Sequence, residues 1–148
     1  MSRMDNAVLG FVITFRGRNE EDSMYELHTE IQINAPADRV WDVLTDFEAY
    51  VDWNPFVRSL EGSLEPGKRL KVTLEQPESK PMVMQPKVVG LEPGRGFKWL
   101  GHLGIPKIFD GEHRFELEAR EDGTTRFIHA ERFGGILVPF FKSMLENK

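Results

Sequence analysis

Two long stretches of alternating residues, joined by an Asp-Gly step, most constrain the fold of this chain. The first is "IFDGEHRFELEARE", residues 108–121, and the second is "TRFIHAERF", residues 125–133. Apolar and polar residues alternate along both, which is the period of a β-strand with one buried face. The Asp122-Gly123 step between them favours a tight turn that returns the chain antiparallel to itself. The segment predicts a long β-hairpin whose apolar face must be covered.

With the remaining segments, the chain is predicted to form a strand, two short helices, about six consecutive antiparallel strands that include the hairpin, and a final helix. Residues 25–34, "YELHTEIQIN", alternate like a half-buried strand, and residues 35–55 carry helical spacing that Pro55 ends. Residues 82–92, "MVMQPKVVGLE", are interpreted as one strand. Apolar residues recur at helical spacing over 136–145, so we expect a C-terminal helix to cover the sheet, with a cavity between them.

The N-terminal part of the chain differs from the rest. Residues 1–23 include the charged, linker-like stretch "RGRNEEDS", and the clean strand pattern starts after it. We interpret residues 1–23 as an extension, which leaves open an added strand, an upstream extension or an arm that docks a partner. We interpret residues 24–148 as one domain, because a chain of 148 residues can bury a sufficient core without disulfides or metals.

Composition excludes several classes of protein. The chain has no cysteine, which excludes disulfides, thiolate catalysis and cysteine-bound zinc. The net charge is −5 and the charges are scattered, so we expect no nucleic-acid partner. No segment approaches the ~20 apolar residues of a membrane span. The apolar run at residues 7–15 lacks a small-residue cleavage site after it, so we expect a cytoplasmic protein without a membrane span.

Two segments carry a resemblance to a known superfamily. "INAPADRVWDVLTDFEAYVDWNP", residues 33–55, and "GEHRFELEAREDGTTRFIHAERFGGIL", residues 111–137, followed by a helical tail, resemble the START-like or SRPBCC proteins. Within them, the chain is most similar to the polyketide cyclase/dehydrase and lipid-transport group. The resemblance implies an α+β helix-grip fold: a curved antiparallel β-sheet wrapped around a C-terminal α-helix, with two short helices after the first strand.

The resemblance also implies a mainly apolar cavity between sheet and helix. Members of the superfamily bind lipids, sterols or polyketides; some are cyclases or hydrolases, and others are co-chaperones or tRNA- or ribosome-linked factors. The chain departs from the family pattern at residues 136–148, which supply a shorter last helix than usual. Either the helix continues past residue 148, or it is short. A short helix would leave the cavity open at one end, or closed by the N-terminal arm or by a partner chain, as in a homodimer.

A cluster of large rings lies where the predicted helices end. Phe47, Trp53 and Phe56 fall within ten residues of one another. Such rings either line the mouth of an apolar pocket or plug the end of the sheet. We favour the plug for Phe47 and Phe56 and leave both interpretations open for Trp53, because Asn54 beside it can offer a polar contact.

Polar residues on the apolar face of the hairpin are the other candidate site. By alternation His113 lies on the same face as His129 and Glu131, among aromatic rings. A carboxylate there is costly unless it is paired, so Glu131 and a histidine either hydrogen-bond a ligand, transfer protons, or form a buried network that satisfies itself. The candidate ligand-binding residues are Trp53, Phe56, Leu74, Trp99, His113, Phe115, Phe127, His129, Glu131 and Phe140.

Motifs for metals and cofactors are weak. No two histidines have the i, i+4 spacing of a helical zinc motif, and there is no phosphate-binding glycine loop or dinucleotide fingerprint. His113 and His129 can meet on paired strands, but we predict neither a metal nor a cofactor. The leading hypothesis is a protein that binds a small hydrophobic molecule such as a lipid, isoprenoid or polyketide. The alternatives are a cyclase or dehydratase with Glu131 or a histidine as proton shuttle, and a regulatory, co-chaperone-like interaction module.

Overall fold

The structure, a computed structural model, describes residues 8–16, 25–75, 80–102 and 110–134. The expected C-terminal helix, with Phe140, lies outside the described residues. In chain order the elements are β1 (Val8–Arg16), β2 (Tyr25–Ile33), α1 (Ala37–Thr45), a 3₁₀ turn (Phe47–Ala49), α2 (Tyr50–Trp53), β3 (Val57–Glu61), β4 (Lys71–Leu74), β5 (Met82–Met84), β6 (Lys87–Glu92), β7 (Gly96–His102), β8 (Asp110–Ala119) and β9 (Thr125–Gly134).

The described strands form two antiparallel sheets. The larger has six strands in the order β1-β2-β9-β8-β7-β6, and the smaller has three in the order β3-β4-β5. A bridge between Arg69 and Lys87 connects them, and the amide of Leu70 donates a 2.9 Å hydrogen bond to the carbonyl oxygen of Pro86. This largely antiparallel α+β architecture, with two short helices after the first predicted strand, confirms the expected fold class.

The predicted hairpin is formed by β8 and β9. Their register runs from Ala119 opposite Thr125 to Asp110 opposite Gly134. In the turn, Gly123 has a φ of 82°, a conformation that glycine adopts without strain. A carboxylate oxygen of Asp122 accepts hydrogen bonds from the hydroxyl and the amide of Thr124, at 2.6 and 2.9 Å, and these bonds lower the pKa of Asp122.

The N-terminal segment contributes a strand to the sheet. β1 pairs antiparallel with β2, with Val12 opposite Glu30 and Arg16 opposite Glu26. Of the three alternatives for this segment, an added strand is present in the structure. The domain boundary after residue 23 and any partner-docking role stay predictions.

The interpretation of residues 82–92 as one strand was wrong. The segment divides into β5 and β6, which belong to different sheets. Pro86 lies between them, and its missing N–H cannot extend a ladder of backbone hydrogen bonds. A shift of register between Val88 and Gly90 disturbs β6 further. Pro86 and Gly90 can be recognised in the sequence as residues that disturb a strand. The sequence pattern does not show that the chain passes from one sheet to the other at this point.

The helices cover one end of the larger sheet. Val40 and Leu44 of α1 are buried together with Phe97 and Leu117 of the sheet. This packing explains the helical spacing seen in the sequence, because the two residues four apart face the sheet. We call the face that they cover the inner face. None of the described helices has the length and apolar character needed to cross a membrane.

Most of the buried apolar residues in the described part of the chain fall into two clusters. The first cluster contains Phe47, Tyr50, Leu60, Leu70, Val72 and Val88. The second cluster contains Ile33, Val40, Leu44, Phe97 and Leu117. Trp99 packs against both, so its ring joins the small sheet to the inner face of the large one.

Ion pairs occupy the opposite, outer face of the large sheet. Arg126 of β9 pairs with Glu30 of β2 and, at 2.9 Å, with Glu118 of β8. The hydrogen bond from Arg126, followed by that from His28, lowers the pKa of Glu30. Arg132 lies 3.8 Å from Glu26. Because these charges face away from the core, the polar residues of the inner face need a separate explanation.

Candidate functional site

Strand register brings three polar side chains together on the inner face. His113 of β8 lies directly across from Glu131 of β9, and Phe115 lies across from His129. Directly opposed residues of an antiparallel pair project from the same face, and residues two apart on a strand do so too. His113, His129 and Glu131 therefore share one face, with the parity that the sequence predicted. Their role in binding a ligand stays a prediction.

These three residues, here called the polar trio, form a close triangle. The Nδ1 atom of His113 is 3.3 Å from Nε2 of His129 and 3.8 Å from Oε1 of Glu131. The Nε2 atom of His129 is 3.6 Å from the same carboxylate oxygen. The side chains of His113, His129 and Glu131 are 24, 29 and 20% exposed. The trio is thus partly desolvated, yet a solute can reach it.

An aromatic row, which we define as Phe97, Trp99, Phe115 and Phe127, lies beside the polar trio. Phe115 is at its centre: ring centroids are 4.7 Å from Phe97, 5.0 Å from Trp99 and 6.4 Å from Phe127. These distances are in the range of favourable aromatic pairs.

The imidazoles of the trio continue the row. The ring of Phe115 lies parallel to that of His129, with an interplanar angle of 6° and centroids 4.7 Å apart. Trp99 is 6.0 Å from His113. These contacts hold both imidazoles against an apolar wall and restrict their rotation.

The residues of the aromatic row differ in burial. Phe97, next to α1, is 2% exposed, whereas Trp99, Phe115 and Phe127 are only partly buried. The result is an apolar surface that leads from the core to three polar groups.

Leu74 and Trp53 lie in other parts of the fold. Leu74 of β4 packs, like Trp99, against the first cluster of the core. Trp53 ends α2, is 43% exposed, and has its ring centroid 4.7 Å from that of Tyr50. The candidate residues thus lie in two regions of the fold. Trp99 and Phe115 contact the rings of the polar trio, and Phe127 contacts Phe115. No ring contact with the trio is found for Trp53 among the described residues.

The turn after α2 separates the three rings singled out in the sequence. Phe47 is buried, as expected for a ring that plugs the end of the sheet. Phe56 is 54% exposed, so its interpretation as a plug was wrong. The side-chain oxygen of Asn54 accepts hydrogen bonds from the amides of Phe56 and Val57, at 2.9 and 3.0 Å. Asn54 therefore stabilises this turn, which holds Phe56 towards solvent.

Thr29 is a neighbour of the site that the sequence reasoning did not assign to it. It lies across from His129, and its hydroxyl donates a 3.0 Å hydrogen bond to the carbonyl oxygen of His129. In the alternating stretch of residues 25–34, Thr29 has the same parity as Leu27 and Ile31, and this is the signal in the sequence that places it on the buried face. Its contact fixes the backbone from which the His129 side chain projects.

Known structures share this fold. A START superfamily protein from Mycobacterium smegmatis is similar with a TM-score of 0.63 and 18% identity, over 82% of this chain and 87% of that one. The Zhui aromatase/cyclase from Streptomyces sp. R1128 is similar with a TM-score of 0.60 and 20% identity, over 74% of this chain and 67% of that one. The protein NE0264 from Nitrosomonas europaea has a TM-score of 0.65 and 17% identity, over 82 and 81% of the two chains.

The sequence itself identifies the family. No match was found among curated proteins. The family model described as polyketide cyclase/dehydrase and lipid transport matches residues 24–148, which include all but the N-terminal part of the chain. The chain therefore belongs to the polyketide cyclase/dehydrase and lipid transport family.

Proposed function

We propose that this protein binds a small hydrophobic molecule, such as a lipid, an isoprenoid or a polyketide, against the aromatic row. The observation that carries the proposal is the junction of that row with the polar trio. An apolar body would cover Trp99, Phe115 and Phe127, and a polar end group would reach His113, His129 and Glu131. Ligand sites of this kind combine a mainly apolar lining with a few convergent polar groups.

The two parts of the site would contribute differently to binding. Burying apolar area supplies about 25 cal/mol per Å² before the costs of association. The imidazoles can donate or accept a hydrogen bond according to their tautomer, and the Glu131 carboxylate accepts. Since Phe115 and Trp99 restrict both imidazoles, little rotamer freedom would be lost on binding. The row would therefore provide affinity, and the trio would select and orient the polar end.

Binding of a fluorescent polyene fatty acid tests this proposal. It should be measured in buffer containing EDTA for the native chain, for Glu131→Gln and for His129→Asn. The matched control is Glu112→Gln, since Glu112 is on the same strand as His113 but on the outer face. We expect saturable binding that both trio variants weaken several-fold and that the control leaves unchanged.

Native mass spectrometry of the protein from its expression host gives a complementary result. A co-purifying hydrophobic molecule would identify the ligand class. If no fatty acid, isoprenoid or aromatic polyketide binds the native chain, or if the control weakens binding as much as the trio variants do, the proposal is wrong.

A cyclase or dehydratase activity at the same place is the second candidate. It is favoured by the position of Glu131 Oε1, which lies 3.8 Å from His113 Nδ1 and 3.6 Å from His129 Nε2. Small approach movements would bring these atoms within proton-transfer distance, since catalytic hydrogen bonds are often long in free enzymes. This activity would be supported if the chain turned over a poly-β-ketone substrate in a pH-dependent way and Glu131→Gln abolished the turnover. Binding of the substrate without turnover would leave ligand binding as the function.

A further inference from the structure

The spacing of the polar trio leads to an inference that does not depend on the hydrophobic ligand. The three ligand atoms, Nδ1 of His113, Nε2 of His129 and Oε1 of Glu131, all lie within 4.8 Å of one another. In the plane of the three atoms, the point equidistant from them lies about 2.1 Å from each, and an ion slightly above that point stays within the roughly 2.0–2.2 Å bonds of zinc to histidine nitrogen and carboxylate oxygen. We infer that the polar trio binds a divalent first-row transition ion, with Zn²⁺ as the expected occupant.

The donor types select the ion. Two imidazole nitrogens and one carboxylate oxygen suit zinc and its neighbours, whereas calcium and magnesium prefer oxygen ligands. Three protein ligands leave a position open, as in catalytic zinc sites, where water or a substrate completes the coordination. The 20–29% exposure of the three side chains gives an ion access to them.

The residues around the polar trio hold its side chains in position to bind an ion. Phe115 lies parallel to the His129 ring, and Trp99 contacts the His113 ring. Thr29 anchors the backbone of His129. The ligand atoms therefore project from three positions on two paired strands, a rigid support that keeps them near the required spacing.

The sequence alone did not predict this metal site, and the reason is geometric. Zinc motifs are recognised by fixed spacings along one element, such as i and i+4 on a helix. Here the ligands are two residues apart on β9 and across the hairpin on β8, so only the register between the strands brings them together. If a hydrophobic ligand also binds here, a polar oxygen of that ligand would fill the open position, and this extension alone rests on the proposed function.

Zinc titration of the full-length protein tests the inference without any organic ligand. After treatment with EDTA and its removal, isothermal titration calorimetry with zinc sulfate and elemental analysis after dialysis should give one ion per chain. Changing an outer-shell partner of a metal costs about 10–100-fold in affinity, so His113→Asn, His129→Asn and Glu131→Gln, which remove direct ligands, should each weaken binding by at least about tenfold.

The matched control is His28→Asn. His28 forms another imidazole–carboxylate pair, 3.2 Å from Glu30, on the outer face of β2. Its substitution should leave zinc affinity unchanged. Circular dichroism would show whether each variant is folded.

Histidine-selective NMR of the native chain keeps the test valid if a variant does not fold. Zinc should shift the ring signals of His113 and His129 and leave those of His28 and His102 in place. Absence of stoichiometric binding overturns the inference, and it would mean that the trio is a hydrogen-bonded network. Equal effects of the His28 and trio substitutions would also overturn it. Fatty-acid binding is measured in EDTA, where no free zinc is present. The proposal of zinc binding and the proposal of hydrophobic-ligand binding can therefore fail independently of each other.

Discussion

The hydroxyl of Tyr50 donates a 2.6 Å hydrogen bond to the carbonyl oxygen of Leu44 inside the protein. Leu44 is in the last turn of α1, where helices leave carbonyl groups without intrahelical partners. Removing the hydroxyl would leave this buried acceptor unsatisfied. We expect Tyr50→Phe to lower the free energy of unfolding by about 1–3 kcal/mol, measured by urea denaturation. An unchanged free energy would show that water or another group satisfies Leu44.

The same hydroxyl predicts a loss of stability at high pH. Burial raises the pKa of Tyr50 well above its ordinary value of 10.0. The folded state therefore favours the neutral phenol. The contribution of Tyr50 to the free energy of unfolding is complete below pH ~10 and decreases above it, because the phenol then ionises in the unfolded chain. Urea denaturation from pH 8 to 11 should show a steeper decline for the native chain than for Tyr50→Phe. Parallel declines would assign the effect to other groups.

Gly96 should be intolerant of any side chain. A Cβ atom there would lie 2.4 Å from the carbonyl oxygen of Phe115 on the neighbouring strand. We expect Gly96→Ala to cost about 1–3 kcal/mol or more of unfolding free energy. Gly90→Ala is the control, since its Cβ would meet side-chain atoms of Lys98 at an ordinary 3.6 Å and should change stability by about 0.5 kcal/mol or less. Equal thermal stability of both variants would refute the close approach of β7 and β8.

Short sequence patterns predicted those elements that depend mainly on interactions between residues close together in the chain. The Asp122-Gly123 turn and the alternation on both sides fixed the register of the long hairpin, and with it the shared face of His113, His129 and Glu131. The helical spacing of Val40 and Leu44 likewise located α1.

Other features depend on contacts that no local pattern encodes. The exposure of Phe56 follows from hydrogen bonds of its turn to Asn54, and the change of sheet after β5 follows from the pairing partners available on either side of Pro86. The spacing of the trio is a tertiary property as well, because it combines strand register with the ring packing of Phe115 and Trp99. The sequence could therefore predict which residues share a face, but not the distances between their polar atoms.

Low pH should weaken the ion pairs of Glu30 on the outer face of the sheet. Arg126, and then His28, hold the pKa of Glu30 below 4.5. A carboxyl with a lowered folded-state pKa contributes stability above its unfolded pKa, and this contribution is lost as the pH falls through the folded value. Glu30→Gln should therefore unfold at a lower temperature than the native chain at pH 7, and at nearly the same temperature at pH 3. Moderate salt should reduce the difference at pH 7, whereas a difference that persists at pH 3 would contradict an ionic origin.

Thr125 connects the start of β9 to the segment before α1, and this connection should be important for stability. Thr125 is fully buried, and its hydroxyl donates a 2.7 Å hydrogen bond to the carbonyl oxygen of Ala35. Thr125→Val preserves the shape but leaves that carbonyl without its donor, which should cost about 1–3 kcal/mol. Thr125→Ser keeps the donor and loses one methyl group, at about 1 kcal/mol. Urea denaturation of the two variants separates the hydrogen bond from packing: a valine variant as stable as the native chain would show that shape alone holds α1 against the hairpin.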